Sequence, residues 1–242
     1  MDAGRRQQYL DAMGITRYVM RGSTAANSVV AESESSAVPK ETQVSVNPKQ
    51  TKKTGKQTPD WDVLKAEVAA CTACGLHTSR TRTVFGVGDE SADLMVVGEA
   101  PGADEDRQGE PFVGRAGQLL TAMLHAIGLA REAVYIANVL KCRPPGNRNP
   151  GAEEVTACQP FLRQQLSLIK PKVMLAVGGV AAHNLLNTDE PVGRLRNRVH
   201  LYGEGRIPML VTYHPAYLLR RPEEKAKAWQ DLQKLHGMLY GD

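Results

Sequence analysis

The chain has 242 residues, of which 30 are Lys or Arg, 26 are Asp or Glu and 42% are hydrophobic. This composition excludes a wholly disordered chain, and since no run of about 18 apolar residues occurs, it also excludes a membrane-spanning helix. The net charge of +4 excludes a uniformly basic nucleic-acid-binding protein, so any DNA contact must come from local clusters. No basic and apolar leader opens the sequence and no spare apolar stripe is evident, so we expect a cytoplasmic monomer.

The amino-terminal part of the chain differs in composition from the rest. Residues 5–22 contain a short stripe of apolar side chains at helical spacing, which is typical of a partner-binding peptide or of a segment that folds back on the main domain. Residues 23–58 contain no Leu, Ile, Phe, Tyr or Trp and cannot bury enough apolar surface to offset the entropy of ordering. We therefore predict a partner-binding peptide at 1–22, a flexible, disordered linker at 23–58 and a globular domain at 59–242.

Short apolar strands alternate with helices in the globular part, which predicts an α/β fold with a largely parallel sheet covered on both faces. The predicted strands are 93–98, 134–140, 172–178 and 207–212, and the predicted helices are 61–70, 114–129, 150–169, 179–186 and 222–239. In such folds, ligands bind beyond the carboxyl ends of the strands. The loops richest in polar residues, at 98–102, 140–148 and 213–219, follow those ends and are the predicted site.

Four cysteines are spaced in a way that indicates a metal site. Cys71 and Cys74 form a CxxC pair, and Cys142 and Cys158 follow later in the chain. Four thiolates suit a structural zinc ion or an iron–sulfur cluster, and four unrelated buried thiols are the alternative. The second pair is not CxxC, which argues mildly against a compact zinc ribbon. The spacing alone does not choose between zinc and iron.

Four loop segments carry a resemblance to a known family. They read VVGEAPGADEDRQGEPFVGRAGQLL at 96–120, NVLKCRPPGNRNP at 138–150, GRLRNRVH at 193–200 and HPAYLLR at 214–220. In order, in spacing and with all four cysteines, these segments resemble the family 4 uracil-DNA glycosylases, which carry a four-iron–four-sulfur cluster. The resemblance covers roughly residues 61–240, the whole globular part.

This resemblance implies a fold, a cofactor and a reaction. The fold is a three-layer α/β/α sandwich around a mostly parallel, four-stranded sheet. The cofactor is a [4Fe–4S] cluster on Cys71, Cys74, Cys142 and Cys158, with zinc as the alternative. The reaction is hydrolysis of the N-glycosidic bond between uracil and deoxyribose in DNA, which leaves an abasic site. The base must leave the helical stack to be reached, so a pocket with a stacking platform is required.

The resemblance also assigns residues that bind uracil. Phe112 is the expected stacking residue, and Asn138 offers both a donor and an acceptor for uracil O4 and N3–H. The backbone groups of Gly98, Glu99 and Ala100 would line the edge of the base. Without the family match, an ordinary core Phe and a backbone-capping Asn would be the simpler interpretations.

Two residues are predicted to act in bond cleavage. His214 could donate a hydrogen bond to uracil O2 as negative charge develops there. Glu99 could orient or activate water and stabilise the sugar cation. A turn His and a solvated Glu are the competing interpretations. Gly102 stands where a related family with the loop GQDPY has a Tyr that blocks the thymine methyl group, so we take Glu105 as the candidate that excludes thymine.

Basic residues near these loops predict a DNA surface. Arg194, Arg196 and Arg198 alternate and would face one side of an extended segment, and Arg220 lies in another of the loops. Further basic residues at loop positions on the predicted active face are Lys141, Arg143, Arg148 and Arg221. Each of these residues alone could equally be a solubilising charge, but as a group they favour DNA contact.

A second, shorter resemblance concerns the amino-terminal peptide. Residues 5–22 are similar to the start of the psi subunit of bacterial DNA polymerase III, which docks on the clamp loader. This implies a clamp-loader or other replisome partner and a bacterial, nucleoid-associated protein that binds uracil-containing DNA and no membrane. It also leaves an alternative function, a replicase subunit whose glycosylase activity is lost or secondary.

Overall fold

The computed structural model describes residues 60–241. The predicted partner-binding peptide at 1–22 and the predicted linker at 23–58 lie outside these residues, and so does the proposed clamp-loader contact. All three stay predictions. No helix among the described residues is long and apolar enough to cross a membrane.

A six-stranded sheet forms the centre of the structure. Its strands are β1 (Val87–Gly88), β2 (Leu94–Gly98), β3 (Tyr135–Asn138), β4 (Val173–Val177), β5 (His200–Tyr202) and β6 (Ile207–Thr212). Their order is β1–β3–β2–β4–β6–β5. The four central strands run parallel to one another, and the two edge strands are antiparallel to their neighbours.

The four predicted strands are the four central, parallel strands, which confirms the predicted fold class. All residues of β2, β3 and β4 are buried, as continuous apolar runs in a doubly covered sheet require. The predicted number of four strands was too small, because β1 and β5 were missed. β1 has two residues and β5 has three, and both are partly exposed, so neither contains an apolar run that could reveal it.

Eight α-helices are found in residues 60–241. They are α1 (Trp61–Ala70), α2 (Ala103–Gln108), α3 (Arg115–Ala126), α4 (Ala152–Ile169), α5 (Gly179–Leu186), α6 (Val192–Leu195), α7 (Pro215–Arg220) and α8 (Lys225–Tyr240). The five predicted helices are α1, α3, α4, α5 and α8, with small shifts at their ends. The three that were missed, α2, α6 and α7, have four to six residues each and are too short to show a periodic pattern.

Successive residues of each central strand pack alternately into two separate hydrophobic cores, one on each face of the sheet. In β2, Val96 packs with residues of α3, α7 and α8, while Val97 packs on the other face with residues of α4, α5 and α6. This two-sided packing is the predicted three-layer sandwich. Asp60 caps the start of α1, because its carboxylate accepts a hydrogen bond from the Asp62 backbone N–H at 3.0 Å, and the helix leads directly to Cys71.

Candidate functional site

A cavity of about 480 Å³ opens at the carboxyl ends of the parallel strands, just beyond Gly98, Asn138 and Thr212. Its volume lies within the range of small-molecule sites. We call it the carboxyl-end cavity. The residues that line it include eight predicted from the sequence: Glu99, Ala100, Glu105, Phe112, Asn138, Arg148, His214 and Arg220. The structure therefore brings together residues that are far apart in the sequence.

Gly98 forms the floor beneath two of these residues. A Cβ atom added at Gly98 would lie 2.4 Å from Asn138 Oδ1 and 2.7 Å from Phe112 Cζ. Real Cβ atoms do not approach other atoms so closely. The absence of a side chain at Gly98 is therefore what allows the ring of Phe112 and the amide of Asn138 to meet at the end of β2.

Phe112 is held in a strained backbone conformation. Its φ angle is +55°, in the left-handed region that side chains other than glycine rarely adopt. Its carbonyl oxygen fills the space beside Gly117 in α3, where an added Cβ would lie 1.7 Å away. The Phe112 ring is only 7% exposed and stacks against His214, with ring centroids 5.7 Å apart and an interplanar angle of 29°.

Both neighbours of Phe112 are fixed by charged side chains. Arg131 Nη2 donates a hydrogen bond to the Pro111 carbonyl at 2.7 Å, and the Val113 backbone N–H donates to Glu105 Oε1 at 3.2 Å. Strain in the backbone persists only where the surroundings hold it in place. These two contacts supply that support, and Arg131 has no signal in the sequence that could have assigned it this position.

Asn138 ends β3 with a buried, unsatisfied amide oxygen. The residue is 2% exposed, and Asn138 Oδ1 has no hydrogen-bond partner in the described part of the chain. Leaving a buried acceptor unpaired costs about 1–3 kcal/mol. Such an atom at the wall of a cavity is suited to accept a hydrogen bond from a bound ligand.

His214 is a neutral hydrogen-bond donor. Its Nδ1 accepts a hydrogen bond from the Ala216 backbone N–H at 3.1 Å, so Nε2 carries the proton of the neutral ring. Burial, and secondarily the positive charge of Arg220, lower the pKa of His214 from 6.5 to about 4. The imidazole is therefore uncharged at neutral pH and can donate from Nε2.

Glu99 places a carboxyl group in the same cavity. Burial raises the pKa of Glu99 above its ordinary value. The loop that carries it is held by backbone hydrogen bonds from Val139 N to the Gly98 carbonyl, at 2.9 Å, and from Leu140 N to the Glu99 carbonyl, at 3.0 Å. These bonds continue the contact between β2 and β3 beyond the strands and fix Glu99 beside Asn138.

Glu105, the candidate for thymine exclusion, lines the cavity with its carboxylate engaged by backbone groups. Glu105 Oε2 accepts a hydrogen bond from Gly102 N at 3.1 Å, and Oε1 accepts the bond from Val113 N described above. The side chain thus ties the loop after β2 to the Phe112 segment. Nothing in this geometry tests thymine exclusion, which stays a prediction.

The predicted row of arginines is wrong in its geometry. Arg194 lies in the one-turn helix α6, so the segment is not extended. The Arg196 side chain is only 11% exposed and forms an ion pair with buried Asp231 of α8 at 3.0 Å. Arg198 pairs with Glu190 at 3.0 Å on the surface. The three arginines therefore do not face one side, and Arg196 is turned toward the protein interior.

Another basic residue also lies elsewhere than predicted. Lys141 is 1% exposed and belongs to the interior, not to a DNA-facing surface. The loop after β3 contributes to the carboxyl-end cavity Arg148, which the sequence predicted at the active face, and three residues that the sequence did not single out: Pro144, Asn147 and Asn149. The loop itself was predicted at this position, but the direction of its side chains was not readable from the sequence.

The four cysteines line a second, smaller cavity, the cysteine cavity. Cys142 accepts a hydrogen bond from Arg80 Nη1 at 3.1 Å, and Cys158 accepts one from the Lys141 backbone N–H at 3.2 Å. Burial raises the pKa of both thiols, and that of Cys158 to about 11. Within residues 60–241, no three His, Cys, Asp or Glu side chains are placed to hold a single metal ion.

Comparisons with known proteins agree with this geometry. The Uracil DNA glycosylase superfamily matches residues 85–233. A type-4 uracil-DNA glycosylase of Archaeoglobus fulgidus is 44% identical over 181 residues, which cover 72% of this chain and 90% of that protein. The corresponding protein of Thermotoga maritima is 41% identical over 177 residues, covering 72% of this chain and 91% of the relative.

A type-5 uracil-DNA glycosylase of Pyrobaculum aerophilum is less similar, at 32% identity over 146 residues that cover 54% of this chain and 64% of that protein. The two type-4 relatives are matched over about nine tenths of their length, and the superfamily match at residues 85–233 includes the carboxyl-end cavity. The chain therefore belongs to the uracil-DNA glycosylase superfamily and, within it, to the type-4 family.

Proposed function

We propose that this chain is a DNA repair glycosylase that hydrolyses the N-glycosidic bond of deoxyuridine in DNA and leaves an abasic site. The proposal rests on one observation: Phe112, Asn138 and His214 line a single cavity, in which the buried Asn138 Oδ1 has no hydrogen-bond donor among the described residues. A flipped base supplies that donor together with a flat surface that stacks on Phe112.

Asn138 provides the recognition of uracil. The N3–H group of uracil is a donor and satisfies Asn138 Oδ1, while the amide nitrogen can donate to uracil O4. Cytosine presents an acceptor at N3 and an amino group at C4, so it would leave both amide atoms of Asn138 mismatched. A site built on buried polar groups rejects such a base strongly because the groups stay unpaired.

His214 stabilises the leaving group. Cleavage of the glycosidic bond places negative charge on the uracil ring, including O2. The neutral imidazole of His214 can donate a hydrogen bond from Nε2 to that oxygen, and the proton stays on the imidazole. A fixed donor of this kind stabilises the charge that develops in the transition state more than it stabilises the neutral base.

Glu99 acts on the sugar side of the bond. Its carboxylate can orient the attacking water, accept a proton from it and stabilise the positive character of the sugar. The raised pKa of Glu99 makes it a better base than an exposed glutamate. Arg220 and Arg148, both at the wall of the cavity, are the residues that we expect to contact DNA phosphates.

The cysteine cavity is suited to a [4Fe–4S] cluster. Buried thiols stay protonated unless a positive group offsets their charge, and iron ions supply that charge. The resemblance to the type-4 family favours a cluster of several atoms over a single zinc ion. The group would be held by Cys71, Cys74, Cys142 and Cys158 and, when bound, would supply a structural tie between the segment after α1 and the loop after β3.

A metal analysis and a visible absorption spectrum of the purified chain test the cofactor. We expect about four iron atoms per chain and the broad visible absorption of an iron–sulfur protein. Zinc without iron would contradict the proposal.

The reaction itself is tested by the release of free uracil from an oligonucleotide that contains a single deoxyuridine. Wild type should release uracil, Glu99→Ala should release it far more slowly, and the exposed-site control Lys172→Ala should match wild type. Lys172 forms only a surface ion pair with Asp93, before β4 and away from the cavity. A wild-type chain that binds the oligonucleotide but releases no uracil would support the alternative of a replicase subunit without glycosylase activity.

A further inference from the structure

A buried lysine connects the cysteine cavity to the carboxyl-end cavity. Lys141 is among the largest fully buried side chains of the described residues. Its backbone N–H donates to Cys158 Sγ at 3.2 Å, and its side-chain Nζ donates to the carbonyl of Asn138 at 2.9 Å. One residue therefore contacts a cysteine on one side and the residue with the unpaired amide oxygen on the other.

The ammonium group of Lys141 is held in place by a buried glutamine. Lys141 Nζ donates to Gln165 Oε1 at 2.7 Å. The Gln165 side chain is oriented in turn, because its Nε2 donates to the Phe85 carbonyl at 2.9 Å and to the Tyr135 hydroxyl at 3.1 Å. These bonds fix the direction in which Gln165 presents its oxygen. The position of the ammonium is therefore defined by a network and not by Lys141 alone.

This arrangement is costly for a residue that serves only to fill space. A buried ammonium loses its hydration, and no Asp or Glu of residues 60–241 forms an ion pair with Lys141. A leucine or methionine could fill the same volume without that cost. The ammonium donates to Gln165 and to the Asn138 carbonyl, and the second of these bonds points to a specific task at Asn138.

We propose that Lys141 is a positioning residue for uracil recognition. Its hydrogen bond to the Asn138 carbonyl fixes the turn after β3, so that the Asn138 amide faces the base. The bond joins residues three apart, as side-chain-to-backbone bonds do when they shape a turn. This inference rests on the proposed role of Asn138 in binding uracil. Supporting groups of this kind typically contribute about 10–100-fold to activity.

The test compares Lys141→Met with Tyr135→Phe. Lys141→Met keeps the length of the side chain and removes the bond to Asn138. Tyr135→Phe removes a hydroxyl from the same network and leaves both bonds of Lys141 intact, so it is the matched control. For each variant, we would measure kcat and KM for uracil release, inhibition by free uracil, affinity for DNA with an abasic site, Tm and the visible spectrum.

We expect Lys141→Met to lower kcat about 10–100-fold and to weaken inhibition by free uracil about 10-fold, with KM and the affinity for abasic-site DNA changed less than about twofold. Tyr135→Phe should keep wild-type values for all four. Equal losses in the two variants would show a general effect of the network on stability and would overturn the inference. A Lys141→Met variant with wild-type uracil inhibition would also overturn it.

If Lys141→Met does not fold or loses its visible absorption, the same measurements are made on Gln165→Leu. This variant keeps the lysine but removes the hydrogen-bond acceptor that holds its ammonium group in place. Selective weakening of uracil inhibition supports the inference, and unchanged inhibition overturns it. The proposed function has its own control. A wild-type chain that releases no uracil overturns both proposals, whereas a wild-type chain that releases uracil beside an unaffected Lys141→Met overturns only this one.

Discussion

Two cavities at opposite ends of the sheet differ in how their polar groups are satisfied. The carboxyl-end cavity has a volume of about 480 Å³, and the amino-end cavity, lined in part by Arg163, Tyr202 and Gly205, has about 920 Å³. In the larger one, Arg163 Nη2 donates a hydrogen bond to Gln159 Oε1 at 3.1 Å, and no buried side-chain atom lining it lacks a partner within the described residues. The smaller one has the unpaired oxygen of Asn138. The unpaired buried oxygen of Asn138 therefore distinguishes the carboxyl-end cavity from the amino-end cavity, and volume does not.

The largest effect should come from the unpaired amide. Asn138→Ala removes the group that we propose recognises the uracil edge, and we expect kcat/KM for uracil release to fall about 10³-fold. Gln159→Ala, at the amino-end cavity, is the matched control and should change kcat/KM less than about twofold. If the two variants lost similar activity, the contrast between the cavities would not be functional.

Replacement of the imidazole should have the next largest effect. His214→Gln loses the Nε2 donor in its fixed position, and we expect kcat to fall about 10²-fold. Since the pKa of His214 is about 4, the loss of activity of the wild type in mild acid should come from protonation of Glu99, whose pKa is raised by burial. A pH–rate profile of His214→Gln should therefore keep the acidic limb of the wild type. A limb that disappears in this variant would assign it to His214.

The same histidine should make folding sensitive to acid. Below pH 6.5 the unfolded chain takes up a proton that the folded chain refuses until about pH 4, so the free energy of unfolding falls across this interval. The full loss amounts to about 3 kcal/mol. Denaturant unfolding of wild type and His214→Gln at pH 7 and pH 4 measures it, because the variant lacks this contribution. Equal losses in both proteins would contradict the lowered pKa.

Two glycines offer a matched test of packing at the two ends. An alanine Cβ at Gly98 would lie 2.4 Å from Asn138 Oδ1, whereas one at Gly205 would find its nearest neighbour, Ile207 Cγ1, at 3.7 Å. We expect Gly98→Ala to lose about 10–100-fold in kcat/KM and about 1–3 kcal/mol of stability. Gly205→Ala should be close to wild type in uracil release and in Tm. A neutral Gly98→Ala would show that the Phe112 and Asn138 side chains move apart easily.

The smallest effects should separate the arginines. Arg220→Ala should raise KM about threefold with an unchanged Tm, since it removes a phosphate contact at the rim of the cavity. Arg198→Ala, which breaks a surface ion pair, should change Tm little and serves as the control. KM values measured at two salt concentrations test whether Arg220 contacts a phosphate. The effect of Arg220→Ala on KM should be smaller at the higher salt concentration, because salt screens the contact between the arginine and the phosphate.

The central strands and the loop positions were predictable from the sequence because each depends on a local pattern. Leu94–Gly98 and Val173–Val177 are buried apolar runs bounded by polar loops, and such runs predict strands wherever helices cover both faces. The convergence of loops at the carboxyl ends follows from the parallel order of those strands. The residue identities within the loops came from the family resemblance.

What the sequence did not predict depends on contacts between distant segments. Arg196 was placed on a DNA surface, but Asp231 lies 35 residues later and draws it inward. Lys141 stood in a basic loop, and its burial follows from Gln165 on α4. No local pattern distinguishes a charged residue that faces solvent from one whose partner arrives with another helix.

The close fit between the Phe112 carbonyl and Gly117 has a mechanical consequence. The stacking ring is anchored to the first turns of α3, and that helix contributes Leu120 and Leu124 to the core. The position of the Phe112 ring is therefore as rigid as the hydrophobic core, and the ring cannot move toward an incoming DNA strand. The nucleic acid must do the bending, so lesions in flexible or already distorted DNA should be captured before those in stiff, well-paired tracts.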